Sequence, residues 1–364
     1  MSGVARMALW GLGGVVAVSL LAGTTVCLTS GCSTIGYYAQ SATGHLNLLE
    51  AAKPVPQWLA DPATSAALKD RLTLAQRIRD FAVSDLGEPD NASYRRYADL
   101  GRPAAVWNVV AAPELSLEPK TWCFAVVGCV GYRGYYEQAR AVALADELRA
   151  QGLDAAVYPV PAYSTLGRLP TGGWLADPLL NTFIDYPEGE LARLVFHELA
   201  HQIAFAPGDT LFNESFASAV EKIGVERWLA EHARPEARAQ SARGEARRAD
   251  FRELTDAYRA KFAALYASGA SDIDKRAGKA ALLARLRADY RAMKATRWAG
   301  YSGYDDWFAR ANNAAFGVLA SYTALVPGFE RLFEREGRDF PRFYAEVRRI
   351  AALPPADRQA ALQR

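Results

Sequence analysis

The sequence predicts an α+β fold that is predominantly helical, with a small mixed sheet, a helix pair that follows it and long C-terminal helices. Apolar residues recur at helical spacing before residue 97, and again from Glu188 almost to the end of the chain. An amphipathic helix at about 136–150 is expected to cross over the sheet. The sheet is predicted from short β-branched and aromatic runs bounded by Gly and Pro, at 105–111, 123–132 and 155–160.

Four regions are expected along the chain. Residues 1–31 have the layout of a secretory signal peptide, and residues 32–100 form an N-terminal helical region. Residues 101–234 hold the α+β core, and residues 235–364 form a C-terminal helical region. The beginning of this last region is rich in Ala, Arg, Glu and Asp, which is typical of long surface helices.

Composition and charge argue against one class of function, the binding of nucleic acids. Of the 364 residues, 51% are hydrophobic and 23% are charged, which is ordinary globular composition. The formal net charge is only +2, and the Arg-rich stretches alternate with acidic residues. We therefore expect no nucleic-acid partner, because binding to phosphates needs a clear excess of basic charge.

The N-terminal segment predicts export and attachment to a membrane. No charged residue occurs from Met7 to Leu28, and the apolar stretch ends in Thr29-Ser30-Gly31-Cys32. A small residue before a Cys at this place resembles the lipobox of bacterial lipoproteins, in which Cys32 would become the acylated first residue. Ser33 stands where a retention signal needs Asp, so the expected location is the periplasmic face of the bacterial outer membrane. The alternative is an uncleaved transmembrane anchor with an extracytoplasmic domain.

Two further cysteines belong to the mature chain. Cys27 lies in the expected signal peptide, which leaves Cys123 and Cys129, with Gly128 and Gly131 nearby. Disulfides persist in an extracytoplasmic space, and this separation suits a bridge across a tight bend. We expect a disulfide between Cys123 and Cys129, and two buried free thiols are the alternative.

The strongest functional signal is the motif His197-Glu198-Leu199-Ala200-His201. Residues four apart lie on one face of a helix, so His197 and His201 can direct two imidazole nitrogens at one ion. Zinc held by three protein ligands keeps a fourth position for water and lowers the pKa of that water to about 7. Glu198 would take the proton as the water attacks a carbonyl and pass it to the leaving amine. The alternative is a pair of structural histidines on an ordinary helix.

A third ligand is sought downstream of this motif. A His six residues after His201 would define a metzincin, but that position is Pro207. Glu214 is the expected ligand, because it opens a second helix after the turn around Gly208 and would return against the two histidines. Two alternatives remain: Glu214 as a carboxylate that caps its helix, and Asp209 as the ligand.

The two motifs together resemble a known peptidase family. His197 to His201 and Asn213-Glu214-Ser215-Phe216-Ala217 resemble the gluzincins of the aminopeptidase N type, whose signature is HExxH followed by NExFA. The interval between His201 and Glu214 is shorter than in that family, and its upstream GAMEN motif is absent. The resemblance implies Zn²⁺ bound by His197, His201 and Glu214, with Glu198 as the catalytic base.

The chain is also similar to the family of predicted bacterial aminopeptidase lipoproteins across most of the mature sequence. This resemblance implies a membrane-anchored, extracytoplasmic zinc peptidase with a gluzincin-like core, acting as an aminopeptidase on short peptides. The segments that carry it, besides the two motifs, are 31–40, 132–135, 162–167 and 177–182.

The resemblance to gluzincins also implies two further parts of a site. Gluzincins place an edge strand beside the metal, and Tyr163-Ser164-Thr165 holds the corresponding position before the HExxH helix. An ordinary sheet edge is the alternative for this segment. The oxyanion in gluzincins is stabilised by a downstream Tyr or His, for which we expect Tyr322, with Tyr301 and Tyr304 as rivals. Core packing is the alternative for each of the three.

These residues favour a zinc metallopeptidase whose partners are a peptide substrate and a membrane. An endopeptidase or amidase acting on cell-wall peptides is one alternative. The other is a non-catalytic lipoprotein that acts as an interaction factor with a peptidase-like fold. Glu198 argues against the latter, since a purely structural metal site needs no general base.

Overall fold

The computed structural model describes residues 32–124, 128–162, 175–319 and 324–363. The chain separates into two compact units, residues 1–48 and 49–364. Helix α1 (Cys32–Ala51) begins in the first unit. Within the described ranges, no helix has both the length and the apolar character needed to cross a membrane. The expected signal peptide, residues 1–31, lies outside the described residues.

The second unit begins with two helices, α2 (Val55–Ala60) and α3 (Ala66–Ser84). The hydroxyl of Ser65 accepts a hydrogen bond from the Leu68 N–H at 3.2 Å, which satisfies one of the free donors at the start of α3. The apolar residues of α3 face inward at helical spacing, as the sequence predicts. They are Leu72, Ala75, Ile78, Phe81 and Ala82.

The strands form three small sheets. In the first, β1 (Lys53–Pro54) pairs antiparallel with β2 (Arg96–Ala98), and β2 pairs parallel with β8 (Leu179–Leu180), so this sheet is mixed. The second has the order β6–β3–β7 with antiparallel pairs throughout. Its strands are β3 (Val106–Pro113), β6 (Arg133–Tyr135) and β7 (Leu153–Val160). The third is the two-stranded hairpin of β4 (Trp122–Phe124) and β5 (Gly128–Val130).

Helix α4 (Gln138–Ala150) is the crossover that the sequence predicts. It follows β6 on one side of β3 and leads to β7 on the other side, so β6 and β7 run parallel to each other. The run 123–132, by contrast, is not one strand of the same sheet. It folds back on itself as the β4–β5 hairpin, in which Gly128 has a φ of +76° that glycine adopts readily.

The site depends on two helices, α5 (Glu188–Ala200) and α6 (Thr210–Glu231), which pack against each other. Gly224 of α6 permits their close approach. A Cβ atom at this position would lie 2.8 Å from Cδ2 of Phe196 in α5 and 2.7 Å from Cδ1 of Leu86. The Phe196 ring of α5 can therefore pack directly against the backbone of α6, because Gly224 carries no side chain.

Long helices α7 (Pro235–Ala267) and α8 (Asp272–Thr296) follow, and both are longer than any other helix described. With the short helices α9 (Asp305–Arg310) and α10 (Asn313–Leu319) they enclose an aromatic core. The chain ends in α11 (Val326–Arg335), α12 (Phe340–Ala351) and α13 (Pro355–Gln363). The prediction of a predominantly helical α+β fold is confirmed. The residues of the aromatic core include Phe251, Tyr258, Phe262, Tyr290, Trp298, Phe308 and Phe316.

Substitution of Gly224 tests the close packing of α5 and α6. Gly224→Ala should lower the free energy of unfolding by about 1–3 kcal/mol, because the added methyl group overlaps Phe196 and Leu86. Gly244→Ala in α7 is the control, since its Cβ would meet its nearest neighbours at ordinary distances, Glu190 Oε1 at 3.4 Å and Arg248 Nη2 at 3.7 Å. In urea unfolding, the control should be neutral or up to about 1 kcal/mol more stable, because Ala favours a helix over Gly. An equal free energy of unfolding for the two variants would show that close packing does not require glycine at position 224.

Candidate metal centre

The HExxH motif lies at the C-terminal end of α5. This helix begins after Pro187, and Glu188 and Glu190 lie in its first turn, where carboxylates interact favourably with the helix dipole. Its apolar residues are buried, which leaves the motif's polar side chains on the remaining face. His197 and Glu198 are part-exposed on α5, and His201 is the residue that caps its C-terminal end.

The turn between α5 and α6 is fixed by Asn213. Its side-chain oxygen accepts a hydrogen bond from the Ala206 N–H at 2.7 Å, and its amide donates to the Ala206 carbonyl at 2.9 Å. Asp209 caps α6 by accepting from the Phe212 N–H at 3.0 Å, and it also pairs with Arg358 at 2.6 Å. The Asp209 carboxylate is thus already engaged as a helix cap and in an ion pair. Glu214 follows directly after Asn213, the residue that closes the turn.

Three side chains meet where the two helices approach. Nε2 of His197 lies 3.2 Å from Nε2 of His201, and Oε2 of Glu214 lies 3.3 Å from the His197 nitrogen. The second Glu214 oxygen, Oε1, lies 3.8 Å from Nε2 of His201. One ligand atom from each residue can be chosen so that all three lie within 4.8 Å of one another. The side chains of His197, His201 and Glu214 are 16%, 8% and 16% exposed, so the centre is shielded yet reachable.

This donor set fits a divalent metal ion. Two imidazole nitrogens and a carboxylate oxygen are the ligands that catalytic zinc sites use, and three protein ligands leave a position open. Burial alone would lower the pKa of His197, but hydrogen bonds with Glu214 and Glu221 outweigh burial and raise this pKa well above its ordinary value. The surrounding carboxylates therefore favour a positive charge at the point where the three side chains meet.

Glu221 is a member of the site that the sequence reasoning missed. Its Oε2 lies 2.8 Å from Nδ1 of His197, on the side of the ring that faces away from Glu214. A carboxylate at Nδ1 holds the proton there and leaves the Nε2 lone pair free for a metal ion. The signal was available in the spacing, because Glu221 lies seven residues after Glu214 and therefore on the same face of α6.

Glu221 is held in turn by charges from neighbouring helices. Arg193 of α5 donates to Glu221 at 2.8 Å and also pairs with Glu245 of α7. Arg248 of α7 pairs with Glu190 of α5 and with Glu245, both at 2.8 Å. Ion pairs thus connect the long helix α7, through Arg193, to Glu221, which orients the ring of His197.

Glu198 lies in an acidic and largely dehydrated environment. Burial raises the pKa of Glu198 to about 7; His197 opposes this shift, and the carboxylates of Glu214, Asp177 and Glu221 add to it. For His201, burial lowers the pKa to about 4, which keeps its ring neutral and able to act as a ligand. A carboxylate whose proton affinity is raised in this way is suited to accept and return a proton near neutral pH.

Tyr94 and Asp177 interact electrostatically with Glu198, and neither was predicted as a site residue. The Tyr94 N–H donates to the Asp177 carbonyl at 2.6 Å, and the Tyr94 carbonyl accepts from the Gln76 amide at 2.8 Å. Tyr94 has a φ of +63°, which is rare for an aromatic residue and is found preferentially at functional sites. Burial, followed by the charges of Glu198 and Asp177, raises the pKa of Tyr94 well above its ordinary value.

The other residues predicted for the site fall in different places. Tyr163-Ser164-Thr165 and Tyr322 lie outside the described residues. Tyr301 and Tyr304 pack in the aromatic region of the C-terminal helices, where Tyr304 stacks on Phe251 with ring centroids 4.6 Å apart. Helix α1 begins at Cys32, whose side chain is outside the description.

Cys123 and Cys129 form a disulfide that joins the directly opposed residues of β4 and β5. The hairpin lies against the turn between the two site helices. A Cβ atom at Gly128 would lie 3.0 Å from the backbone nitrogen of Gly208. The disulfide therefore stabilises a hairpin that contacts the turn just before Glu214.

Helices α5 and α6 thus present a candidate metal centre of the His-His-Glu type with a carboxylate, Glu198, beside it. The chain belongs to the family described as "Putative aminopeptidase", whose model matches residues 36–362 and so covers both helices. Membership of this family indicates a peptidase. A search of curated proteins and a search of solved structures each gave no match.

Removal of the Glu221 carboxylate tests its role in orienting His197. Glu221→Gln should lower the affinity for a divalent metal ion by about 10- to 100-fold, because the proton on Nδ1 loses its charged acceptor. Affinity is measured by competition against a chromogenic chelator with Zn²⁺ and Co²⁺. Glu226→Gln, an exposed position on the same helix, is the control and should bind like the wild type. An unchanged affinity in Glu221→Gln would assign Glu221 to the ion-pair network alone.

Proposed function

We propose that the chain is a zinc metallopeptidase of the gluzincin type that removes N-terminal residues from short peptides. The observation that carries this proposal is the convergence of His197, His201 and Glu214 on one point, with Glu198 adjacent to His197. The family assignment supports the aminopeptidase part of this proposal. The HExxH and NExFA motifs, which come from different helices, account for each ligand of the proposed site.

The proposed ligands are Nε2 of His197, Nε2 of His201 and a carboxylate oxygen of Glu214. Zinc in this site would polarise the substrate carbonyl and lower the pKa of a water molecule. Glu221 keeps the proton of His197 on Nδ1, so that the Nε2 atom remains a ligand. Glu198 accepts the proton from the attacking water and delivers it to the nitrogen of the leaving amine.

The carboxylate of Glu198 distinguishes catalysis from a structural metal site. Glu198 is one position away from His197 on the helix, about 100° round its axis, and is not among the three residues whose ligand atoms converge. A structural site has closed coordination and has no need for a carboxylate in this position. The third proposed ligand is a carboxylate, and no fourth protein ligand joins the group among the described residues. Both features agree with an open, catalytic site.

The Glu198→Gln variant provides the direct test. It should retain zinc, because Glu198 is not a ligand, and should lose at least about 100-fold in kcat on peptides because the proton acceptor is gone. The measurements are zinc content by elemental analysis and hydrolysis of a peptide panel. His201→Ala is the comparison variant and should lose zinc and activity together. Zinc-loaded wild type that cleaves no peptide or amide would disprove the enzymatic proposal.

The position of cleavage separates an aminopeptidase from an endopeptidase or amidase. Matched peptides with a free or an acetylated N-terminus are incubated with the wild-type protein, and the products are identified by mass. We expect stepwise loss of N-terminal residues from the free peptides only. Internal cleavage of the acetylated peptides, or cleavage of cell-wall peptides alone, would replace the aminopeptidase assignment and leave the zinc site unchanged.

We also propose that the protein is a lipoprotein at the periplasmic face of the outer membrane, anchored through Cys32. The apolar segment that ends at Gly31-Cys32 supports this location. Expressed in a bacterial host, the wild type should incorporate a palmitate analogue and separate with the membranes, whereas Cys32→Ser should not be labelled. Cys27→Ser is the control and should be labelled normally. An unlabelled wild type that stays in the membrane fraction would favour the uncleaved anchor.

A further inference from the structure

A cavity of about 310 Å³ lies beside the start of α6. We name it the hairpin pocket, because the β4–β5 hairpin and the residues around it form one of its walls. The opposite wall is the first turn of α6, and α10 contributes the rest. The residues that matter for what it binds are Pro119, Cys129, Tyr132, Asp209, Leu211 and Val318.

The hairpin pocket is linked to the candidate metal centre through α6, because Leu211 lines the pocket and Glu214 belongs to the centre. Leu211 precedes Glu214 by three residues, so the two side chains are neighbours on one face of α6. Three residues of a helix rise about 4.5 Å, which is comparable to the rise of about 3.3 Å per residue along an extended peptide. This face of α6 is partly exposed, whereas the positions between its residues are mostly buried. Its residues are Leu211, Glu214, Ser218 and Glu221.

The walls of the pocket are fixed by close backbone contacts. Gly128 of the hairpin approaches the backbone of Gly208, and the Cβ of a residue at Gly317 would lie 3.0 Å from Cγ of Pro119. The disulfide Cys123–Cys129 closes the hairpin itself. The pocket is therefore largely formed before a ligand arrives, as is usual for sites that bind small groups.

The lining favours an uncharged, apolar group. Asp209 is the charged residue among those that line the pocket, and its carboxylate is already occupied by Arg358 at 2.6 Å and by the Phe212 N–H. Pro119, Leu211, Val318 and Cys129 supply apolar surface, and the hydroxyl-bearing side chains of the lining, which are Thr121, Thr210 and Tyr132, are uncharged. At about 310 Å³, the pocket is at the small end of ligand sites, which span about 300–1,000 Å³, and suits one side chain.

We propose that the hairpin pocket binds the apolar side chain of a substrate residue next to the scissile bond, and that Leu211 and Val318 set its size limit. This inference rests on the proposed peptidase function, since it assigns the substrate class of the same site. The preferred substrates are peptides with a Leu-sized or Phe-sized residue adjacent to the bond that is cleaved.

The test uses full-length protein loaded with zinc and two peptide series, X-Ala-Ala and Ala-X-Ala, in which X is Gly, Ala, Leu, Phe or Asp. In one of the series, the wild type should show a kcat/KM at least about tenfold higher for Leu or Phe than for Gly, since burial of a few methylene groups gives that much discrimination. Leu211→Trp fills the pocket and should reduce the ratio to about one. Leu211→Ala enlarges it and should shift the preference from Leu toward Phe.

A second readout does not depend on turnover. In the Glu198→Gln background, binding of the same peptides is measured by calorimetry, and Leu211→Trp should weaken binding of the Leu and Phe peptides while leaving the Gly peptide unchanged. Leu229→Trp, the same substitution at a part-exposed leucine far along α6, is the matched control and should keep the wild-type ratios. Zinc content is measured for every variant and should be equal.

The outcomes separate this inference from the proposed function. Hydrolysis with a clear Leu or Phe preference that Leu211→Trp and Leu211→Ala both leave unchanged would overturn the pocket assignment alone. A wild-type preference for Asp or Gly at both positions would also overturn it. Zinc-loaded wild type that hydrolyses no peptide would overturn the proposed function, and the pocket assignment with it.

Discussion

The pairing of the Asn213 side chain with both backbone groups of Ala206 is the interaction on which the site depends. It closes the turn between α5 and α6 with two hydrogen bonds, so the first turn of α6 has one position relative to the end of α5. Asn213 is almost fully buried, and leaving its amide unpaired in that environment would be costly. Because Glu214 is the next residue, this closed turn determines where the third candidate ligand lies. The absence of a side chain at Gly224 then lets the helices remain close farther along.

The candidate metal centre is also part of a charge network that extends away from it. Negative and positive side chains alternate from His197 through Glu221 and Arg193 to Glu245 and Arg248. Each buried charge in this series has an opposite partner, which is the condition under which charges are tolerated in a protein interior. The series connects α5 and α6 to the long helix α7. The C-terminal region is consequently joined to the site through the residues that orient the ring of His197.

The sequence predicted the fold class and the three residues that meet in the candidate metal centre, and the physical reason is that both depend on local patterns. Helical periodicity locates α5, and the spacing of His197 and His201 places them on one face without any tertiary information. Asp177 and Tyr94 could not be found in this way, because they interact electrostatically with Glu198 from loops that are distant in sequence and show no periodicity. The division of the strands into three sheets was equally hidden, since two- and three-residue strands carry too little pattern to identify their partners.

One partly exposed face of α6, which we call the stripe, carries residues with three different roles, and substitutions at single positions could separate these roles. Leu211 lines the hairpin pocket, Glu214 completes the set of three potential ligands, and Glu221 orients His197. The helix repeats its face every three to four residues, so these roles occur in order along about three turns. Because the positions between them are buried in the core, the stripe has little freedom to shift as a whole. A change at Leu211 can therefore alter the space beside the site without moving the candidate ligand, whereas a change in the buried face would disturb all three roles together.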